Sequence, residues 1–195
     1  MQGVKLSILI CTIPERQPMF NELLKELGEQ SKRANSMIQI LWDDSPKGTI
    51  TIGQKRNNLL TKSLGDYICY IDDDDLVSPN YIEEIVKAID KSPDCIGFEI
   101  ACDIDGKKYN AASSMKYDWT ENVDGYKYVR SIYHKTPVKR EIALKAMFPD
   151  KSFGEDYEYS MRIKPFLSKE IFINKVLYYY NYKCENPQTK YGLHS

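Results

Sequence analysis

The stretch 65–81, GDYICYIDDDDLVSPNY, decides how the rest of the chain is read. Residues 67–71 are short, apolar and aromatic, which predicts a strand. They run straight into four consecutive aspartates, Asp72 to Asp75. Beyond them, Ser78 and Pro79 suit an N-cap and a first helical position, with Glu83 and Glu84 in the early turns. The spacing predicts a helix over 79–90. The acids therefore stand between the carboxyl end of a strand and the start of a helix.

Upstream, the pattern repeats. Residues 4–11, VKLSILIC, read as a buried strand, followed by the loop TIPER. Residues 18–30 place Phe20, Leu23, Leu24 and Leu27 at helical spacing. Residues 37–42, MIQILW, are a second strand ending at Asp43 and Asp44. Residues 53–64 form a second helix, basic at its start, and Gly65 ends it. Strand–helix alternation predicts an α/β fold of Rossmann type, a mostly parallel sheet with helices on both faces. Ligands of such sheets bind at the carboxyl ends of the strands. Those ends carry Thr12, Asp43, Asp44 and the aspartate run.

The second half differs. Residues 95–103 and 107–112 read as a hairpin turning at Asp105-Gly106. YDWTENVDGYKYV, 117–129, reads as irregular, 130–135 as a strand, and VKREIALKAMF as a short helix. GEDYEYSMRIKPFL opens a further helix, IFI and VLYYYNY read as two short strands, and the tail as a polar loop.

Composition excludes several classes. The chain has 195 residues, enough for one domain with a sizeable core. With 27 basic and 28 acidic residues the net charge is -1, which argues against non-specific nucleic-acid or membrane-surface binding. Five cysteines, Cys11, Cys69, Cys95, Cys102 and Cys184, follow no zinc spacing and read as reduced thiols of a cytosolic protein. The first residues lack a basic leader and a small-residue cleavage site, and no apolar run is long enough to span a bilayer. The expectation is a cytoplasmic chain without stable membrane insertion.

One aspartate suffices to cap a helix, so four call for more. Closely spaced carboxylates are hard oxygen ligands for Mg2+ or Mn2+, which would remove their mutual repulsion. An EF-hand loop is excluded, because its glycine and terminal glutamate are missing. Asp72 and Asp74 also mimic the Asp-x-Asp of haloacid-dehalogenase-type phosphotransferases. There, however, threonine stands where this chain has Leu76, and the motif follows the first strand.

LSILICTIPER, ILWDDSP, IGQKRNNLL, GDYICYIDDDDLVSPNY and FGEDYEYSMRI together resemble, in order and spacing, the GT-A-fold glycosyltransferases, most closely family 2. The resemblance implies one GT-A domain over 1–195, with 1–115 binding the sugar nucleotide and 116–195 the acceptor. It implies that Thr12, Pro14, Glu15 and Arg16 hold the nucleotide, that Asp43 or Asp44 accepts from the base, and that Lys55 or Arg56 neutralises a phosphate. Asp74 would bind the metal, and Asp72 or Asp73 would contact ribose or sugar. Asp156 of the Glu155-Asp156 pair would be the general base of an inverting transfer, with Arg162 orienting the pair or meeting a phosphate. His194 is a candidate further metal ligand. Trp119, Tyr117 and His134 are candidates for the acceptor side.

The implied activity is a metal-dependent transfer from a nucleoside-diphosphate sugar, UDP-sugar favoured, to a hydroxyl of a glycan or other acceptor. Hydroxymethylated DNA ranks lower as acceptor, since the charge balance gives it no support. The alternative outside enzymes is a degenerate domain that binds sugar nucleotide without turnover.

Overall fold

The computed structural model describes residues 3–34 and 36–182. The first half alternates as expected: β1 (Leu6–Cys11), α1 (Gln17–Arg33), β2 (Ile38–Asp43), α2 (Ile52–Lys62), β3 (Tyr67–Tyr70), the short β4 (Leu76–Val77) and α3 (Tyr81–Ile89). Strands β2, β1 and β3 pair in parallel, in that order. The second half supplies β5 (Cys95–Ile104), β6 (Lys107–Ser113), β7 (Thr120–Val123), β8 (Tyr126–Arg130), β9 (Val138–Lys139), α4 (Arg140–Ala146), α5 (Glu155–Ile163) and β10 (Glu170–Tyr182). One mixed sheet runs β2-β1-β3-β9-β5-β6-β8-β7, with β10 parallel to β5 and antiparallel to β4.

Alternation along the strands sorts side chains to two faces. Leu6, Ile8 and Ile10 of β1 meet Phe20, Leu23 and Leu27 of α1 and Ile82, Ile85 and Ile89 of α3. Leu9, Ile68 and Tyr70 face the other way, onto Leu59 and Leu60 of α2, Ile142 of α4 and Tyr159 and Ile163 of α5. Helices thus cover both faces. Each fully buried aliphatic side chain contributes roughly 1.5–3 kcal/mol.

Several local expectations need correction. The stretch after Tyr117 is not irregular: β7 and β8 form a hairpin turning at Asp124 (φ 53) and Gly125 (φ 81). That Asp-Gly pair is a hairpin signal in its own right. Residues 131–137 do not form a strand; Thr136 folds back on Tyr133, its N–H donating to the Tyr133 carbonyl at 3.1 Å. The two short C-terminal strands are one long strand, β10, with irregular register between Ile173 and Tyr178. Helix α3 starts at Tyr81, and Ser78 does not cap it. Gln30 of α1 does so from a distance, accepting from the Ile82 N–H at 3.0 Å and donating to the Ser78 carbonyl at 2.8 Å.

Four described cysteines are free thiols: Cys69, Cys95 and Cys102 are buried and Cys11 is half-buried. Among the described residues no helix is long and apolar enough to cross a membrane. Cys184 and His194 lie outside the described residues.

Candidate active site

The aspartates leave β3 in a turn, closed by the Asp75 N–H donating to the Asp72 carbonyl at 3.1 Å. Their side chains alternate. Asp73 and Asp75 are buried, at 3% and 0% side-chain exposure, whereas Asp72 and Asp74 keep 31% and 35%. Asp75 is an anchor: its carboxylate accepts from Lys135 at 2.5 Å, from the Tyr178 hydroxyl at 2.8 Å and from the Asn181 N–H at 3.0 Å. Asp73 accepts from Arg16 at 2.8 Å, and the same guanidinium nitrogen lies 3.1 Å from Asp74. The other oxygen of Asp73, Oδ2, is buried without a protein partner among the described residues.

Asp72 is surrounded by donors: Lys135 at 2.9 Å, His134 Nε2 at 3.3 Å and Arg56 at 3.5 Å. Burial alone would raise its pKa. Lys135, His134 and Arg56 outweigh burial and hold the carboxyl well below the usual range. Asp74 goes the other way, pushed up by burial and by Asp72 and Asp73, with Arg16 only partly opposing. Burial, and then the charge of Arg56, lowers the pKa of His134, so its imidazole is neutral near pH 7.

Helix α2 carries Arg56 into the centre. Thr51 and Gln54 close a capping box at its start, and both side chains bond Asp150. Gly53 lets the first turn lie against the 149–151 loop: a Cβ there would stand 1.8 Å from the Pro149 carbonyl oxygen. Asn57 bonds both backbone groups of Phe148. So fixed, Arg56 reaches Glu155 at 2.6 Å and lies over the rings of Phe148 and Tyr70 at 5.3 and 5.8 Å. Glu155 and Asp156 open α5 after Gly154, whose φ of 68° suits glycine. Glu155 is buried on Arg56; Asp156 is half-buried and accepts from the Tyr157 N–H at 2.8 Å.

At the other end, Thr12 and Asp43 are joined by a 3.0 Å backbone bond. Asp43 accepts from the N–H and hydroxyl of Ser45 at 3.0 and 2.5 Å. Lys55, 1% exposed, is an internal strut rather than a solvated cation: its ammonium donates to the Thr12 and Ser45 carbonyls at 2.8 and 2.5 Å. Pro14, Glu15 and Arg16 form one 3-10 turn; Pro14, Glu15 and Asp44 are exposed.

These elements enclose a cleft of about 260 Å³ lined by Cys11, Arg16, Arg56, Asp72, Asp73, Asp74, Glu155 and residues 180–182. Burial pushes the Cys11 thiol up to about 12, so it stays protonated. Trp119 joins α5 to the β7–β8 hairpin: its indole donates to Ser160 at 3.0 Å, Arg130 lies over its ring at 5.0 Å, and Tyr133 and Tyr157 meet it edge-on. Tyr117 is buried with its hydroxyl on Asp124. Arg162 pairs with Glu158 at 2.5 Å, and the cation on Glu155 is Arg56. Sequence reasoning missed Lys135 and Tyr178. The signal available was a lysine set between aromatic residues and Thr136-Pro137.

Among the described residues no three His, Cys, Asp or Glu side chains converge as a ready metal cage. Magnesium and manganese sites that bind nucleotides need less, since one or two carboxylates plus phosphate oxygens suffice. Asp74 on the cleft wall and the unpartnered Asp73 Oδ2 beside it are hard oxygen donors that fit such an ion.

A mixed sheet whose parallel strand ends carry an acidic turn, with a carboxylate pair opening a helix across the cleft, is the GT-A architecture. Solved structures agree. S. aureus TarS 1–349 in complex with UDP-GlcNAc is 15% identical with a TM-score of 0.68, over 96% of this chain and 61% of that chain. The same fragment in complex with UDP is 14% identical with a TM-score of 0.66, over 91% and 60%. GalNAc-T7 with UDP, GalNAc and Mn2+ is 16% identical with a TM-score of 0.53, over 94% of this chain and 45% of that one. The chain thus spans about three fifths of the TarS fragment. No curated protein sequence matches it. The family model for Glycosyl transferase family 2 matches residues 44–155, more than half of the chain, and the chain belongs to that family. The haloacid-dehalogenase alternative falls with this assignment.

Proposed function

We propose that the chain is a metal-dependent, inverting glycosyltransferase that moves a sugar from a nucleoside-diphosphate sugar, UDP-sugar favoured, to an acceptor hydroxyl, a glycan hydroxyl first. One observation carries this reading: Asp72 to Asp74 and Glu155, the neighbour of Asp156, line one cleft and are bridged by Arg56. The UDP ligands of TarS and GalNAc-T7 support the choice of nucleotide.

Residues 1–115 serve the donor and 116–195 the acceptor. Asp43, held by Ser45, accepts from the base, while Thr12 and the Pro14–Arg16 turn border the nucleotide, with Asp44 at its exposed rim. Lys55 braces these two loops. Asp72, ionised and oriented, accepts from a ribose or sugar hydroxyl. Asp74, with Asp73 beside it, holds Mg2+ or Mn2+. When bound, the ion supplies Lewis-acid stabilisation of the departing diphosphate. Arg16 and Arg56 line the same cleft and add positive charge to it. Asp156 takes the proton of the acceptor hydroxyl as that oxygen attacks the anomeric carbon in line, which inverts its configuration. Trp119 serves the acceptor side as a support for α5 and Tyr157, whereas His134, buried 3.3 Å from Asp72, backs the aspartate turn instead of meeting the acceptor.

A thermal-shift and calorimetric panel of UDP, GDP, CDP and dTDP, each with and without Mn2+, tests the reading. UDP is expected to stabilise the protein strongly only with metal. Absence of binding by every nucleotide under both conditions would overturn it.

A further inference from the structure

We infer that Lys135 is a positioning residue for the donor: from beneath the aspartate turn its buried ammonium fixes the Asp72 carboxylate at the cleft wall. The inference rests on the donor reading above and adds a residue to it.

Lys135 reaches this place through a tight turn. The Thr136 N–H and hydroxyl both donate to the Tyr133 carbonyl, at 3.1 and 2.7 Å, and the Tyr133 N–H donates to the Thr136 hydroxyl at 2.9 Å. The preceding carbonyl, of His134, accepts from the Tyr70 N–H at 2.9 Å, which locks the turn onto β3 just before the acids. Lys135 is 4% exposed. Its ammonium lies over the rings of Tyr178 and Tyr180 at 4.6 and 4.4 Å and touches two carboxylates, Asp75 at 2.5 Å and Asp72 at 2.9 Å. Burying an ammonium is costly, and a site with two anions and two ring faces is what offsets that cost.

The two carboxylates depend on Lys135 unequally. Asp75 has two further short bonds, from Tyr178 at 2.8 Å and Asn181 at 3.0 Å. Asp72 has only long ones besides Lys135, from His134 at 3.3 Å and Arg56 at 3.5 Å, among the described residues. The single short bond on the donor-facing carboxylate is therefore the one from Lys135. An acceptor for a ribose or sugar hydroxyl works only when its lone pairs are already aimed, so the lysine sets affinity without touching the ligand.

The test separates this role from mere support of Asp75. The double variant Asp75→Asn/Lys135→Met removes both buried charges together and leaves Tyr178 and Asn181 to bond the amide. It is expected to melt close to the wild type, yet to bind UDP with Mn2+ about tenfold more weakly by calorimetry. If it binds UDP as the wild type does, Lys135 serves only Asp75 and the inference is overturned. Two single variants give the same discrimination should the double variant be unstable. Asp75→Asn is expected to keep UDP affinity within about twofold, while Lys135→Gln loses about tenfold; equal losses would overturn the inference. A wild-type protein that binds no nucleoside diphosphate would remove the donor reading itself, an outcome distinct from both.

Discussion

Arg56 stands 2.6 Å from Glu155, so α2 in the first half of the chain and α5 in the second are joined by a single buried ion pair. The same guanidinium faces Asp72 at 3.5 Å and rests on Phe148. Arg56→Ala leaves the buried Glu155 without its cation. We expect a stability loss of about 3 kcal/mol by urea unfolding and at least a hundredfold loss of kcat/KM. Arg56→Lys keeps the charge but loses the planar fork, so both effects should be intermediate.

Asp156→Asn keeps the size of the side chain and an acceptor for the Tyr157 N–H at the start of α5. It removes the proposed proton acceptor. Turnover of a UDP-sugar should fall by about 10²–10⁴-fold while UDP affinity stays within about twofold of wild type. A variant that keeps full turnover would exclude Asp156 as the base.

Within the acidic run, two variants should differ in kind. Asp74→Ala opens no buried charge pair, because its nearest cation, Arg16, is 44% exposed and keeps Asp73. Its melting temperature should be close to wild type, and the metal-dependent shift with UDP should vanish. Asp75→Ala leaves the fully buried ammonium of Lys135 with Asp72 as its one remaining carboxylate among the described residues. It should unfold about 3 kcal/mol more easily, before any ligand is added.

Away from the cleft, Asp94 links β5 to the segment before β10. It accepts from Lys139 at 2.9 Å, from the Ser168 hydroxyl at 2.7 Å and from the backbone N–H groups of Ser168 and Lys169 at 3.0 and 2.9 Å. Burial opposes its charge, but these donors prevail and hold its pKa well below the ordinary value. A carboxyl lowered in the folded state contributes its stability in full above the unfolded pKa, about 4, and loses it as pH falls through the acid range. Asp94→Asn should therefore cost about 2 kcal/mol at pH 7, with the difference from wild type shrinking steadily below about pH 4. A difference independent of pH would refute the assignment.

Strands β1, β2 and β3 and helices α1 and α2 were legible because their apolar residues recur at the period of each element. Asp72, Asp74, Glu155 and Asp156 were legible as motifs, and the chain places Asp72 to Asp74 and Glu155 on one cleft. The division of labour inside the run was not legible. Four identical letters carry no information about which carboxylate turns inward, and that depends on Lys135 and Tyr178, which lie 60 and 103 residues away from Asp75. Lys55 and Arg56 read as a basic helix start, yet both are buried, because their partners come from loops remote in sequence. The β7–β8 hairpin was missed because polar residues on an outer hairpin blur the two-residue period.

The alternation of inward and outward carboxylates gives the run a phase. Odd positions are buried, while even ones keep about a third of their side-chain surface open. Inserting a single residue ahead of Asp72 would put a new side chain at the place that meets Lys135, keep aspartates at the three places after it, and push the fourth into β4, where Leu76 stands. A two-residue insertion would preserve parity but lengthen the turn past β4. The Asp105-Gly106 and Asp124-Gly125 hairpin turns carry no such alternation, so natural length variation in this domain should collect there and spare the four aspartates.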